Sequence, residues 1–245
     1  MELGGDVDRF ASYLNELIGD RDAIVHASTP CQNLSGVNWA KDTVEGMRLV
    51  AWSLEVLSKV NCRAWTLEQV SHPLVAELGG RYGSVYRFNL WEYGVPNMRR
   101  RLIVCSHQLD MTESLTTART VRQVFEGANF KTDLKHISNG GRDSKNRMKG
   151  GQYMCRDLDR VSFGVTSTSP RLYDPVTRRA KCIPVEVMAL LQGFPEHYKL
   201  GDKYARRLIG NAVPPLFAAK MYKCLLYSIQ SPEAENLKSE SLAIF

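Results

Sequence analysis

No apolar run in this 245-residue chain approaches the roughly 20 residues that a membrane-spanning helix requires. Its N-terminus is acidic and lacks a long apolar stretch, unlike a secretory signal. The six cysteines (Cys31, Cys62, Cys105, Cys155, Cys182 and Cys224) have no paired spacing, which argues against both a zinc site and a disulfide framework. The five histidines are equally scattered, so no metal is expected. A reducing compartment follows as the simplest expectation: cytoplasmic, or nuclear in a eukaryotic host, and not secreted. Charge imbalance is also small. Lys and Arg number 32 against 26 acids, giving +6 and a pI near 9.0, which suits a polyanionic partner but is shared by many soluble enzymes. A hydrophobic content of 44% suffices for a core of ordinary size.

What the chain does have is alternation of strand and helix signals. Phe10, Leu14, Leu17 and Ile18 predict an amphipathic helix over 8–18, followed by a short buried strand over 22–28. Val44, Met47, Ala51, Leu54 and Leu57 mark a long helix. A second strand runs from Arg63 to Leu67 and ends at Glu68. A brief helix over 73–78 stops at Gly79-Gly80, and strands follow over 86–90 and 101–106. Such alternation predicts an α/β, Rossmann-like sheet. From about 107 to 181 the pattern breaks down into Gly, Ser, Thr, Asn and basic residues. Helical periodicity returns over 184–191 and 214–227, where Leu216, Ala219, Tyr222 and Leu226 are expected to pack inward, and the polar stretch 231–245 reads as a loose tail.

Pro30-Cys31-Gln32 places a thiol on the turn that ends the first strand, where open α/β sheets present chemistry to a ligand. A cysteine alone is more often a small buried hydrophobe, and a lone strand-end glutamate is usually an exposed carboxylate. Together they suit one reaction. Carbon 5 of a pyrimidine becomes nucleophilic once a thiolate adds at carbon 6 and an acid stabilises the charge developing at ring nitrogen 3. Cys31 and Glu68 end two strands separated by a single crossover helix, which can bring both side chains to one crevice.

Five segments in fixed order then resemble the DNA cytosine-5 methyltransferase family. They are Pro30-Cys31-Gln32-Asn33-Leu34-Ser35, the nucleophile loop; Thr66-Leu67-Glu68-Gln69-Val70, with Gln69 for the usual asparagine; and Tyr93-Gly94-Val95-Pro96-Asn97-Met98-Arg99-Arg100-Arg101, with Asn97 for glutamine. Leu191-Gln192-Gly193-Phe194-Pro195 and Ile209-Gly210-Asn211-Ala212-Val213-Pro214-Pro215 complete the series. Val187 stands where this family usually has a glutamate, with Glu186 one place off.

The resemblance implies a Rossmann-like S-adenosylmethionine-dependent methyltransferase fold and transfer of a methyl group to carbon 5 of cytosine in DNA, as in restriction-modification systems. It implies Cys31 as nucleophile, Glu68 at nitrogen 3 and the exocyclic amine, and Arg99 and Arg101 around the target base, with nearby guanidinium charge favouring a thiolate. Strand alternation sends Arg100 to the opposite face. Asn211, Ala212, Val213 and Pro30 would line the S-adenosylmethionine pocket, and Gln32 and Ser35 would shape a loop closing over DNA. Residues 1–106 then form the second part of the catalytic domain, 107–181 a small irregular target recognition region, and 182–230 the return to the catalytic domain. In the recognition region Arg142, Lys145, Arg147 and Lys149 could track phosphates, and Thr166 and Thr168 could reach phosphates or bases. Reaction on a duplex base requires flipping it out.

The family's glycine-rich cofactor loop and the acid that follows it have no counterpart in the chain. Gly4-Gly5-Asp6-Val7 resembles a Gly-Asp-Ile segment further along the family's domain, so the fold is expected to be N-terminally truncated. The first strand would then be an uncovered edge, and a second polypeptide carrying the cofactor-binding strands is an expected partner. Two other readings stand beside this one. A catalytically inactive DNA-binding or regulatory relative is favoured by the missing loop and by Gln69, Asn97 and Val187. The tRNA cytosine-5 branch is disfavoured, because its Cys-Phe-Thr tripeptide is replaced by Val161-Ser162-Phe163-Gly164-Val165.

Overall fold

The computed structural model describes residues 4–35, 42–139, 154–168, 170–177, 179–199, 201 and 203–230. The chain divides into two compact units. One draws on Met1–Phe88, Arg100–Asp110 and Lys223–Phe245, the other on Asn89–Arg99 and Met111–Tyr222.

The first unit is built on a four-stranded sheet. Helix α1 (Val7–Ile18) starts at Asp6, whose carboxylate accepts from the Arg9 amide at 2.9 Å. Helix α2 (Thr43–Lys59) starts in the same way at Asp42, which accepts from the Glu45 amide at 3.0 Å. The apolar stripe of α1 meets α2 through Phe10 and Trp52, whose rings stand edge to face at 4.9 Å. The Trp52 indole donates to the Gly5 carbonyl at 2.7 Å, which spares a buried N–H from going unpaired.

Strands β1 (Ile24–Ser28), β2 (Ala64–Gln69), β3 (Ser84–Asn89) and β4 (Arg100–Cys105) form the sheet in the order β1-β2-β4-β3, and α3 (Pro73–Gly79) follows β2. β1 and β2 are parallel, with Ser28 opposite Glu68; β2 and β4 are antiparallel, with Glu68 opposite Ile103. Every residue of β2 is buried. Its alternation sorts Trp65 and Leu67 into a core with Val50, Leu54, Leu57, Val75, Leu102 and Val104. Thr66 and Glu68 go to the opposite face. That sorting decides where the chemistry lies.

β1 differs from the expected buried strand. It is half covered, with His26 and Ser28 exposed, because it ends the sheet and no strand pairs with its outer edge among the described residues. A groove of about 240 Å³ runs beside it, lined by Phe10, Leu14, Val25, Trp52 and Val56 among others.

The second unit supplies order where the sequence pattern lapses. Strands β5 (His136–Ser138), β6 (Cys155–Asp157), β7 (Arg171–Asp174) and β8 (Arg179–Cys182) form an antiparallel sheet in the order β6-β5-β7-β8. Helix α4 (Val121–Gly127) opens with a reciprocal capping box between Thr120 and Gln123. Helices α5 (Val185–Leu191), α6 (Ala205–Asn211) and α7 (Pro215–Gln230) follow. Val124, Phe125, Ile137, Leu172, Ile183, Met188, Leu191 and Ile209 form the core of this unit. Val187 belongs to that core and Glu186 is exposed, so neither offers a carboxylate inside. In α7 the buried stripe is Phe217, Met221 and Leu225, whereas Leu216 and Leu226 are exposed. The helix is therefore rotated by about one residue from the face expected on sequence.

Leu67→Ala in β2 deletes a fully buried side chain between two helices and is expected to cost about 2–5 kcal/mol, read as a lower urea midpoint.

Candidate active site

The parallel register brings the C-terminal ends of β1 and β2 side by side. Glu68 stands opposite Ser28, and Cys31 follows Ser28 by three residues on the turn that leaves β1. This is the end of an open α/β sheet at which ligands bind. The Cys31 carbonyl accepts from the Leu34 amide at 3.1 Å and from the Ser35 amide at 2.9 Å, closing a tight turn. Leu34 anchors that turn in the core. A Cβ on Gly46 would lie 2.9 Å from the Leu34 side chain, so the bare α2 backbone is what admits it. Gln32 is exposed and Ser35 half-buried on the same turn.

Glu68 is not the exposed strand-end carboxylate that a lone glutamate suggests. Its side chain is 8% exposed and Oε1 forms an ion pair with the Arg101 guanidinium, at 11%. Oε2 accepts from the Ser28 hydroxyl at 2.7 Å. Gln69 makes a parallel clasp one residue on. Its Nε2 donates to Thr29 Oγ1 at 2.6 Å and to the Thr29 carbonyl at 3.3 Å, while its own Oε1 accepts from the Val70 amide at 2.8 Å. Two successive β2 residues thus hold two successive residues on the approach to Cys31. Behind them the His26 Nδ1 and Thr66 Oγ1 are 2.8 Å apart. Desolvation holds the His26 imidazole below its ordinary pKa, with the Glu68 charge pulling the other way.

Two other cysteines are poorly suited to attack. Burial pushes the Cys105 thiol up to about 11 and raises that of Cys62. Cys31 alone combines partial exposure with a strand-end turn beside a buried acid.

The arginine triplet divides as alternation predicts: Arg100 is exposed, whereas Arg99 and Arg101 are covered. Arg101 belongs to the first unit and meets Glu68. Arg99 belongs to the second, where its Nη1 donates to the Val165 carbonyl at 3.0 Å.

Within the second unit, one chain of amides ties three of the five motifs together. Buried Asn97 donates from Nδ2 to the Leu191 carbonyl at 2.7 Å and to Gln192 Oε1 at 3.1 Å. Gln192 in turn donates to the carbonyls of Ile209 and Ala212, both at 3.0 Å. Asn97, which departs from the family's glutamine, thereby has its amide nitrogen engaged twice. Gln192 is named on sequence only as part of its motif, and its structural role is not legible there. The Ile209–Ala212 stretch held this way leaves Asn211 exposed and Ala212 and Val213 half-buried. Pro30, in the first unit, is exposed and lines the groove beside β1.

Thr166 and Thr168 are half-buried and exposed respectively, with the Thr168 amide donating to Thr166 Oγ1 at 3.3 Å. Gly210 packs directly on this loop: a Cβ there would fall 2.5 Å from the Ser167 nitrogen and 2.6 Å from the Thr166 carbonyl carbon. The segment expected at the cofactor and the loop expected at DNA are therefore in backbone contact. Arg142, Lys145, Arg147 and Lys149 lie outside the described residues. Among the described residues no cluster of three or more His, Cys, Asp or Glu could hold a metal ion, and no helix is long and apolar enough to cross a membrane.

No protein-family model matches the chain. It is 32% identical over 163 residues to the Type II methyltransferase M.AplI of Arthrospira platensis, an alignment covering 58% of this chain and 47% of that protein. The chain thus spans about half the length of this relative. Among solved structures it is similar to a prophage-encoded DNA modification methyltransferase from E. coli (TM-score 0.61, 15% identity, covering 92% of this chain and 85% of that one). It is also similar to the Dnmt2 methyltransferase of S. pombe (TM-score 0.59, 16% identity, covering 94% and 84%). At these identities the structural likeness establishes a shared fold.

Gly210→Ala forces a methyl group into backbone that cannot yield; a loss of about 1–3 kcal/mol is expected in urea unfolding, with amide shifts confined to the 166–168 loop and its neighbours. Asn97→Leu keeps the volume but strands the Leu191 carbonyl and Gln192 Oε1, so a loss of about 1–3 kcal/mol is expected in the same measurement.

Proposed function

For a chain that stands with the DNA cytosine-5 methyltransferases in its motif series and in its Rossmann-like S-adenosylmethionine-dependent methyltransferase fold, we propose the following reaction. The Cys31 thiolate adds to carbon 6 of a cytosine flipped out of DNA, forming a carbon–sulfur bond as the 5,6 double-bond electrons shift towards carbon 5. The Glu68 carboxyl shares its proton with nitrogen 3 and accepts from the exocyclic amine. Arg99 and Arg101 hold the base and the carboxyl. Carbon 5 then takes a methyl group, loses its own proton, and the sulfur leaves. The observation that carries this reading is the parallel register that sets Glu68 beside the approach to Cys31.

Methyltransferases of this fold in general take the methyl group from S-adenosylmethionine, which supplies an electrophilic methyl bound to a sulfonium. The residues present suit one part of such a site. Pro30, Ala27 and Trp52 offer an apolar wall in the groove beside β1, and Asn211, Ala212 and Val213 are accessible. That groove holds only about 240 Å³ and no carboxylate lines it for a ribose diol, whereas small-molecule sites commonly enclose about 300–1,000 Å³. The fit is therefore incomplete, and no further step is derived through the donor. The uncovered outer edge of β1 and this groove support a further point: a segment outside these 245 residues, carried by a second polypeptide in the split reading, adds against β1 and completes the cofactor site.

Gln69 and Asn97, which favoured an inactive relative on sequence, both donate their side-chain amides into the fold. The proposal then separates two activities. Addition at carbon 6 makes carbon 5 exchange its hydrogen with solvent, and this needs only residues of this chain. The chain alone is expected to release tritium from DNA labelled at cytosine carbon 5 and to form a covalent adduct with DNA containing 5-fluorocytosine. Cys31→Ser should abolish both. Methyl transfer by the chain alone should be slow and should rise when the completing segment is supplied. Tritium release that persists in Cys31→Ser, or none from the unaltered chain, would overturn the catalytic reading; robust methyl transfer by the chain alone would overturn the need for a completing segment.

A further inference from the structure

We infer that Ser28, which none of the five motifs contains, is the positioning residue for the Glu68 carboxyl. The inference rests on the catalytic reading of Glu68 and concerns what sets that group's orientation.

A buried carboxyl that must address one edge of a base has two freedoms to lose: rotation about its terminal bond, and the choice of which oxygen carries a proton. Arg101 and Ser28 remove both. Each oxygen has its own neighbour: the Arg101 guanidinium forms an ion pair with Oε1, and the Ser28 hydroxyl donates a hydrogen bond to Oε2 at 2.7 Å. A carboxylate held this way cannot turn without breaking the Ser28 bond and moving Oε1 off the guanidinium. The partners differ in kind. A guanidinium only donates, so a proton on Oε1 would face an N–H with no acceptor behind it. A serine hydroxyl both donates and accepts. The shared proton is therefore held on Oε2, where the Ser28 hydroxyl accepts from it and turns to donor as the proton moves to nitrogen 3, reversing when it returns. No atom is gained or lost in that exchange: the proton leaves Oε2 as the sulfur adds and returns as it departs.

Ser28 also has the right address. It is the register partner of Glu68 and lies three residues before Cys31, so its backbone belongs to the strand that delivers the nucleophile. With the adjoining clasp of Gln69 on Thr29, it locks the acid and the thiol turn to one another across the β1–β2 pair. The other charged or titratable groups set against Glu68 in this unit are Arg101 on β4 and His26 on β1, and His26 has Thr66 as its own partner. Ser28 itself is exposed and outside the apolar core, so its replacement should leave the unit folded.

The test measures tritium release from cytosine carbon 5 in DNA by the full chain. Ser28→Ala is expected to lower kcat about 10- to 100-fold, as loss of a hydrogen bond to a charged group does, with KM for DNA changed by less than about twofold. Ser28→Thr, which keeps the hydroxyl, should recover kcat to within about threefold of the unaltered chain. In a Glu68→Gln background, adding Ser28→Ala should cost less than about twofold, because the two act as one unit. Ser28→Ala at full kcat, Ser28→Thr as impaired as Ser28→Ala, or additive losses with Glu68→Gln would each overturn the role of Ser28 while leaving Glu68 as the acid. An inert unaltered chain would overturn both readings together.

Discussion

A carboxylate sits near the C-terminal end of a strand that is buried from end to end, and the architecture of the first unit is organised around keeping it there. Removing a charge from water costs several kcal/mol even after relaxation. Glu68 is tolerated because Arg101 and Ser28 approach from the two neighbouring strands and take one oxygen each. That demands a sheet in which β2 lies between β1 and β4 at fixed register. The helices packed on the other face, through Leu54, Leu57 and Leu67, supply the burial that fixes the register, since a slip of one residue would turn Glu68 into the apolar core. Stability and chemistry are thus in tension at a single residue. An apolar replacement of similar shape would fold at least as well, so the buried pair is not explained by stability alone.

The same logic extends to the residues that depart from the family pattern. Gln69 is one methylene longer than asparagine and spends that length reaching Thr29 with its amide nitrogen while its oxygen turns back to the Val70 amide. Asn97 is one methylene shorter than glutamine, and its partner Gln192 carries the chain of bonds onward to Ile209 and Ala212. Each substitution keeps the amide and changes the reach. Val187 is different in kind: it trades a carboxylate for core packing, and no neighbouring acid makes up the loss.

How legible this was depended on element length. Helices α1 and α2 and strands β1, β2 and β4 each run five residues or more, enough for period-3.6 or period-2 patterns to stand out. Cys31 and Glu68 were readable because both end such elements. The second sheet was not. Its strands have three or four residues, too few to show alternation, and basic residues such as Arg156, Arg171 and Lys181 interrupt them. The inward face of α7 was misjudged for a related reason: both Leu216-Ala219-Tyr222-Leu226 and Phe217-Met221-Leu225 satisfy helical spacing, and tertiary contacts chose between them. Ser28 carried no signal at all, and Gln192 carried none beyond its motif. A polar residue earns notice on sequence through a motif, whereas these two matter through the register and the amide chain that place them.

One consequence concerns the order in which the parts must be right. The acid, its two partners and the thiol turn all lie in the first unit and are fixed by β1, β2 and β4. The amide chain of Asn97 and Gln192, the Gly210 contact with the 166–168 loop and the Arg99 bond to Val165 lie in the second. The motif that carries both Arg99 and Arg101 crosses from one unit to the other between these residues. A side chain committed to the loop framework and a side chain committed to the acid are thus two residues apart on one backbone.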